Sequence, residues 1–192
     1  MRPTPEELTD VWLHVYSRAS LLEAEAAIDA LSSLPAGSDT VAQALMCSIV
    51  VAYARPFTKS QITKSIRTIP LKNIRPPREL AATHCLLLEL RNKVFGHKDT
   101  IPSKRHAKAA NIVLLRRVPS DFHLHASIVA DISSTFWAQV RDLCAFFVAH
   151  CVSRLTPFII QYKPEIMQRP EGWYELVVCE PPDEWLRRHD KA

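Results

Sequence analysis

Glycine is nearly missing from this chain: Gly37, Gly96 and Gly172 are the only three in 192 residues. Three isolated glycines make no G-x-G-x-x-G and no phosphate-cradling loop, which excludes the glycine-dependent dinucleotide and P-loop sites. There is no H-E-x-x-H and no C-x-x-C, so the common catalytic and structural zinc patterns are missing as well. No apolar run approaches the roughly 20 residues that cross a bilayer, and the first ten residues, MRPTPEELTD, are too polar for a secretory signal. Five cysteines (47, 85, 144, 151 and 179) are odd in number and scattered through apolar surroundings, a pattern of reduced, packed thiols rather than a disulfide frame. These absences predict a cytoplasmic protein with no membrane partner, no metal and no cofactor.

Charge is present but unevenly placed. Residues 55–108 hold 13 Lys/Arg against 3 acids, leaving the rest of the chain with 11 basic and 17 acidic residues. Within that stretch, Arg55 to Arg78 carries seven basic residues and no acid. Such a segment produces a positive field suited to a polyanion such as RNA. The same charges also serve as an ordinary solvated surface.

Periodicity predicts a mainly α chain. A first helix covers about 6–34, its apolar stripe read as Leu8, Val11/Trp12, Val15, Ala19, Leu22 and Ala26, until Pro35–Ala36–Gly37 stops it. A second, at 39–54, follows Ser38 and ends before Pro56. The basic, proline-punctuated stretch after it reads as a loop with a short helix. A third helix, at 77–96, packs Leu86, Leu87, Leu90 and Val94 and is closed by Gly96. β-branched residues at about 110–129, around Pro119–Ser120–Asp121, predict a β-hairpin. The last long helix, at 131–156, is stopped by Pro157, and the 157–192 tail holds one further short strand near Trp173. The expected architecture is one domain: an antiparallel four-helix bundle with a small β insert before its last helix.

The third helix ends on LRNKVFGHKD, residues 90–99. On a straight helix Arg91 and His97 would sit about 120° apart. A left-handed Gly96 would turn the chain and bring His97 back over the last turn. In the simplest structural reading, Arg91 and His97 cap helix carbonyls and Glu89 pairs with Lys93.

Arg91-x(5)-His97 at the end of a third long helix resembles the R-x(4–6)-H motif of HEPN domains, in which a polar residue, here Asn92, follows the arginine. The YARPF segment, Tyr53–Phe57, is similar to bacterial HEPN proteins of the abortive-infection type. The resemblance covers about residues 1–156. It implies a HEPN-like bundle that forms a homodimer, and a metal-independent endoribonuclease acting in phage defence or as a toxin with an antitoxin protein. Arg91, Asn92 and His97 would be catalytic. His97, with an ordinary pKa near about 6.5, would move the proton of a ribose 2′-hydroxyl. Arg91 would hold the scissile phosphate, and Asn92 would orient His97 or donate to a phosphate oxygen. Tyr53, Arg55, Lys93 and Lys98 would bind substrate. Toxins paired with a nucleotidyltransferase antitoxin often carry a tyrosine two residues after the histidine. Asp99 stands there instead, in place to hold the imidazole in one tautomer. The family also includes non-cleaving members, so the alternative is a non-catalytic helical module that binds RNA or a partner protein.

Other residues read as structural. His123 and His125 share a strand face but lack a third ligand. Cys144, His150 and Cys151 fill core on the last helix, and Cys85, beside His84, is expected inside the third. Tyr53 and Arg55 also suit a packing corner anchored by Phe57.

Overall fold

The computed structural model describes residues 2–58, 60–61, 67–68, 71, 73–92, 109–118, 121–130, 134–177 and 185–189. The fold is mainly helical, with four α-helices among the described residues: α1 (Pro5–Ser32), α2 (Asp39–Ala54), α3 (Ala81–Leu90) and α4 (Ser134–Ile166). Three two-stranded antiparallel sheets accompany them: β1 (Ser60–Gln61) with β2 (Arg67–Thr68), β3 (Ala109–Val118) with β4 (Asp121–Ala130), and β5 (Trp173–Leu176) with β6 (Leu186–His189). The expected hairpin is β3–β4, in register from Ala109↔Ala130 to Val118↔Asp121.

α1 starts on a capping box. Thr4 Oγ1 accepts from the Glu7 N–H at 3.2 Å, and the Glu7 carboxylate accepts from the Thr4 N–H at 2.7 Å. The helix gives way to a turn in which Gly37 takes a left-handed φ of 85°. α2 then folds back, its last residue followed by Arg55, which is ion-paired to Glu23. α4 runs antiparallel to α1, since Arg154 reaches Asp10 at 3.1 Å while Arg141 pairs with Asp29 at the far end.

The stripe expected on α1 is corrected. The face that meets α2 and α4 is Leu13, Ser17, Leu21, Ala24 and Ile28, whereas Val15 and Leu22 stand 47% and 37% exposed. α1 is apolar on two faces. The buried one carries small and polar residues (His14, Ser17, Ser20, Ala24 and Ala27), which let helices approach closely but register weakly as hydrophobic. Leu8 alone of the expected stripe is buried, and it belongs to a separate cluster.

α3 starts later than expected: a 3₁₀ turn occupies Arg78–Leu80 before it, and its α geometry runs to Leu90, which is buried in the core, while the expected end at 96 and the packing of Val94 lie outside the described residues. Beyond Leu90 the backbone widens into a π-helical turn at Arg91 and Asn92. The described residues of the basic stretch form a 3₁₀ turn at Arg55–Phe57 and the short β1–β2 ladder.

α4 does not stop at Pro157. It continues through Pro157 and Pro164 to Ile166. Each proline deletes one ladder hydrogen bond and crowds the preceding turn, and tertiary packing of Phe158 and Tyr162 against Trp185 and Leu186 holds the helix together past the break. By length and composition, Asp39–Phe57 and Ser134–Ile166 are also apolar enough to cross a membrane, a test that core helices of soluble proteins pass too. The expectation that no apolar run approaches that length is corrected by these two helices.

The main core joins Leu21 and Ile28 of α1, Ile49 and Tyr53 of α2, Leu87 and Leu90 of α3, and Val140, Leu143 and Phe147 of α4.

Candidate functional site

The end of α3 holds the described part of the motif. Thr83, Leu87 and Leu90, spaced four and three, point into the core and fix the helix. One residue later, in the π turn, Arg91 is partly exposed and Asn92 exposed. Arg91 Nη1 donates to Asn92 Oδ1 at 2.9 Å. A guanidinium has five N–H donors, so this bond leaves Arg91 able to receive an anionic oxygen. Lys93, Gly96, His97, Lys98 and Asp99 lie outside the described residues, as does the Glu89–Lys93 pairing.

Tyr53 is not placed to bind substrate. It is 0% exposed, its ring packs on Phe57 and edge-on to Phe147, and its hydroxyl lies 2.7 Å from His84 Nδ1. YARPF is the packing corner, with Phe57 wedged against His84 and Phe147 at centroid distances of 4.8 Å. Burial pushes the Tyr53 pKa up and the His84 pKa down, so burial favours the neutral form of both partners in this box of aromatic rings. Arg55, two residues on, is exposed and paired with Glu23. Arg91 lies seven residues, about 10 Å of helical rise, beyond the His84 that Tyr53 contacts.

A second group of titratable side chains lies where α1 meets α4. His14 Nδ1 donates to the Asp10 carbonyl at 2.7 Å and stands 3.3 Å from the Asp10 carboxylate, which also accepts from Arg154. The His150 ring is 5.9 Å from that of His14. Desolvation lowers the His150 pKa, with His14 and Arg154 acting in the same direction and Asp10 opposing them.

The thiols divide as their burial dictates. Cys144 and Cys151 are buried, and desolvation pushes them up to about 12 and about 11, which keeps both protonated and inert. Cys85 is exposed, against expectation, because it lies on the face of α3 opposite Thr83, Leu87 and Leu90. No group of three or more His, Cys, Asp or Glu suited to a metal occurs among the described residues. On β4, His123 and His125 pair in register with Arg116 and Leu114 of β3.

Trp12 and Tyr16, four apart on α1, stack at a centroid distance of 4.1 Å beside Arg55, Pro56 and Thr58. Two aromatics at i and i+4 lie on one helix face.

No protein-family model, curated protein or solved structure matches the chain.

Proposed function

We propose that the protein is a HEPN-like, metal-independent endoribonuclease that acts as a homodimer in the cytoplasm, in phage defence or as a toxin held by an antitoxin protein. In this reading the helices form a HEPN-like antiparallel bundle. Arg91 grips the scissile phosphate, His97 removes and returns the proton of the ribose 2′-hydroxyl, Asn92 steadies the arginine or the imidazole, and Asp99 fixes the imidazole tautomer. Lys93, Lys98 and Arg55 hold flanking phosphates. Attack by the 2′-oxygen yields a 2′,3′-cyclic phosphate and a 5′-hydroxyl.

The observation that carries the reading is the Arg91–Asn92 pair. Arg91 is partly exposed and Asn92 exposed in a π turn that follows a helix locked by Leu87 and Leu90. π turns recur at functional sites because they break the ladder where a side chain must be presented. Support for the second copy comes from α4. Ala145, Ala149, Val152, Thr156, Ile160 and Lys163, each three or four residues after the last, form an exposed and largely apolar stripe, with Ile160 at 69% exposure.

Incubating the full-length protein with labelled single-stranded RNA tests the reading. Cleavage should survive EDTA, leave a cyclic phosphate, and fall by a factor of about 100 or more in His97→Ala and comparably in Arg91→Ala. RNA that is bound in a salt-sensitive way but left uncleaved selects the non-catalytic helical module instead. Neither binding nor cleavage rejects both.

A further inference from the structure

We propose that the groove between α1 and the Arg55–Phe57 turn is a stacking site for one unpaired base of single-stranded RNA. The inference rests on the RNA reading above but not on cleavage, since it needs neither Arg91 nor His97.

The groove encloses about 160 Å³, below the roughly 300 Å³ at which sites for drug-sized ligands begin, so it has room for a single ring system. Trp12 and Tyr16 form one side, their rings tilted by 34° to each other, and Tyr16 is 57% exposed. An exposed Tyr16 beside a half-buried Trp12 is a poor use of apolar area in a monomer, but it is the kind of surface on which an unstacked base settles, whatever its sequence.

Two polar features give the groove its chemistry. Arg55, on the opposite side, spends part of its guanidinium on Glu23. Exposed ion pairs of this kind contribute little to stability, so a phosphate can share or replace the carboxylate at small cost. Ser17 also lines the groove, and its Oγ is buried with no hydrogen-bond partner. A buried hydroxyl left without a partner costs about 1–3 kcal/mol, an expense that a base edge able to donate or accept would remove.

The sequence adds a long-range term. Arg55 opens a stretch of seven basic residues without an acid that runs to Arg78, and such a tract attracts the backbone of a nucleic acid. Aromatic platform, cation and basic tract are the three components of sequence-tolerant single-strand binding.

The test uses the full-length protein and a short fluorescein-labelled oligouridylate, followed by anisotropy and by tryptophan emission. Trp12→Ala with Tyr16→Ala should weaken binding by about tenfold to a hundredfold while the far-ultraviolet circular dichroism stays unchanged. Trp12→Phe should keep most of the affinity yet lose most of the tryptophan quenching, a signature that a purely structural role for Trp12 does not produce. Ser17→Ala should bind RNA a few-fold more weakly although it removes an unsatisfied hydroxyl from the folded protein. If the wild type binds RNA and the double alanine variant binds it equally well, the groove proposal is wrong and the ribonuclease reading stands. If the wild type binds no RNA, both fall. Displacement of the oligonucleotide by uridine monophosphate at equal concentration would make the occupant a free nucleotide and overturn the proposal, as would displacement by an acidic peptide alone.

Discussion

Two apolar clusters are built on the same pair of helices and differ in what those helices recruit. The larger takes the C-terminal half of α1 and the N-terminal half of α4, and adds α2, α3, Leu71 and Leu80. The smaller takes Leu8 at the start of α1 and Tyr162 near the end of α4, and adds Trp185 and Leu186, with Phe158, Tyr174 and Leu176 at its edge. In the first, helices pack on helices with Phe147 at the centre of an aromatic group. In the second, a two-stranded ribbon caps the far ends of two long helices. Such a ribbon is marginal alone, so β5–β6 and the last turns of α4 depend on each other.

The strongest way to break the first cluster is Phe147→Ala. Phe147 is fully buried and touches Tyr53, Phe57, His84 and Phe146, so truncation should cost about 3–5 kcal/mol, read as a drop in the urea midpoint of the main unfolding transition. Trp185→Ala sharpens the comparison. It empties the smaller cluster and leaves the Glu165 carboxylate without the indole N–H that donates to it at 3.0 Å. The expected loss is about 2–4 kcal/mol, confined to protection of β5–β6 and the α4 residues after Pro157 in hydrogen exchange. An equal shift of the main transition would mean that the two clusters unfold as one unit.

The same contrast explains what could be read from the sequence. α2 was legible to the residue, because Ser38, Pro56 and a nearly all-apolar run between them leave one placement. The β3–β4 hairpin was legible from its β-branched strands around Pro119–Ser120. The end of α4 was not, because Pro157 is a sound local stop and the packing that overrides it comes from Trp185 and Leu186, more than twenty residues further on. The buried face of α1 was misread because Val15 and Leu22 outweigh Ser17, Ser20 and Ala24 on any hydropathy scale, whereas helix–helix contact rewards small size. The box around His84 was invisible for a similar reason: Tyr53 and His84 are 31 residues apart, and nothing local says that they share a hydrogen bond.

That box and the α1–α4 histidines predict how the main core responds to acid. Burial lowers the pKa values of His84 and His150 in the folded chain, so below the ordinary histidine value near 6.5 the unfolded chain binds more protons than the folded one. Their contribution to stability is present above that value and is lost as pH falls toward the folded values. Urea midpoints should therefore decline as pH is lowered below about 6.5, and His84→Gln with His150→Gln should flatten that decline. An unchanged slope in the double variant would place the titration elsewhere.

The smallest effect tests where the border between the clusters runs. Thr4→Ala removes the Oγ1 that accepts from the Glu7 N–H, a capping loss of about 1 kcal/mol. Glu7 has a second task, since its carboxylate accepts from the Tyr162 hydroxyl at 3.3 Å and so ties the start of α1 to the smaller cluster. Glu7→Ala should therefore cost more than Thr4→Ala, and the excess should vanish when Tyr162 is Phe. If Thr4→Ala lowers only the protection of β5–β6 and the end of α4, the first turn of α1 folds with the ribbon, and one helix belongs to two cooperative units. If it lowers the main transition instead, α1 transmits its cap over its whole length, and the smaller cluster is an extension of the larger core.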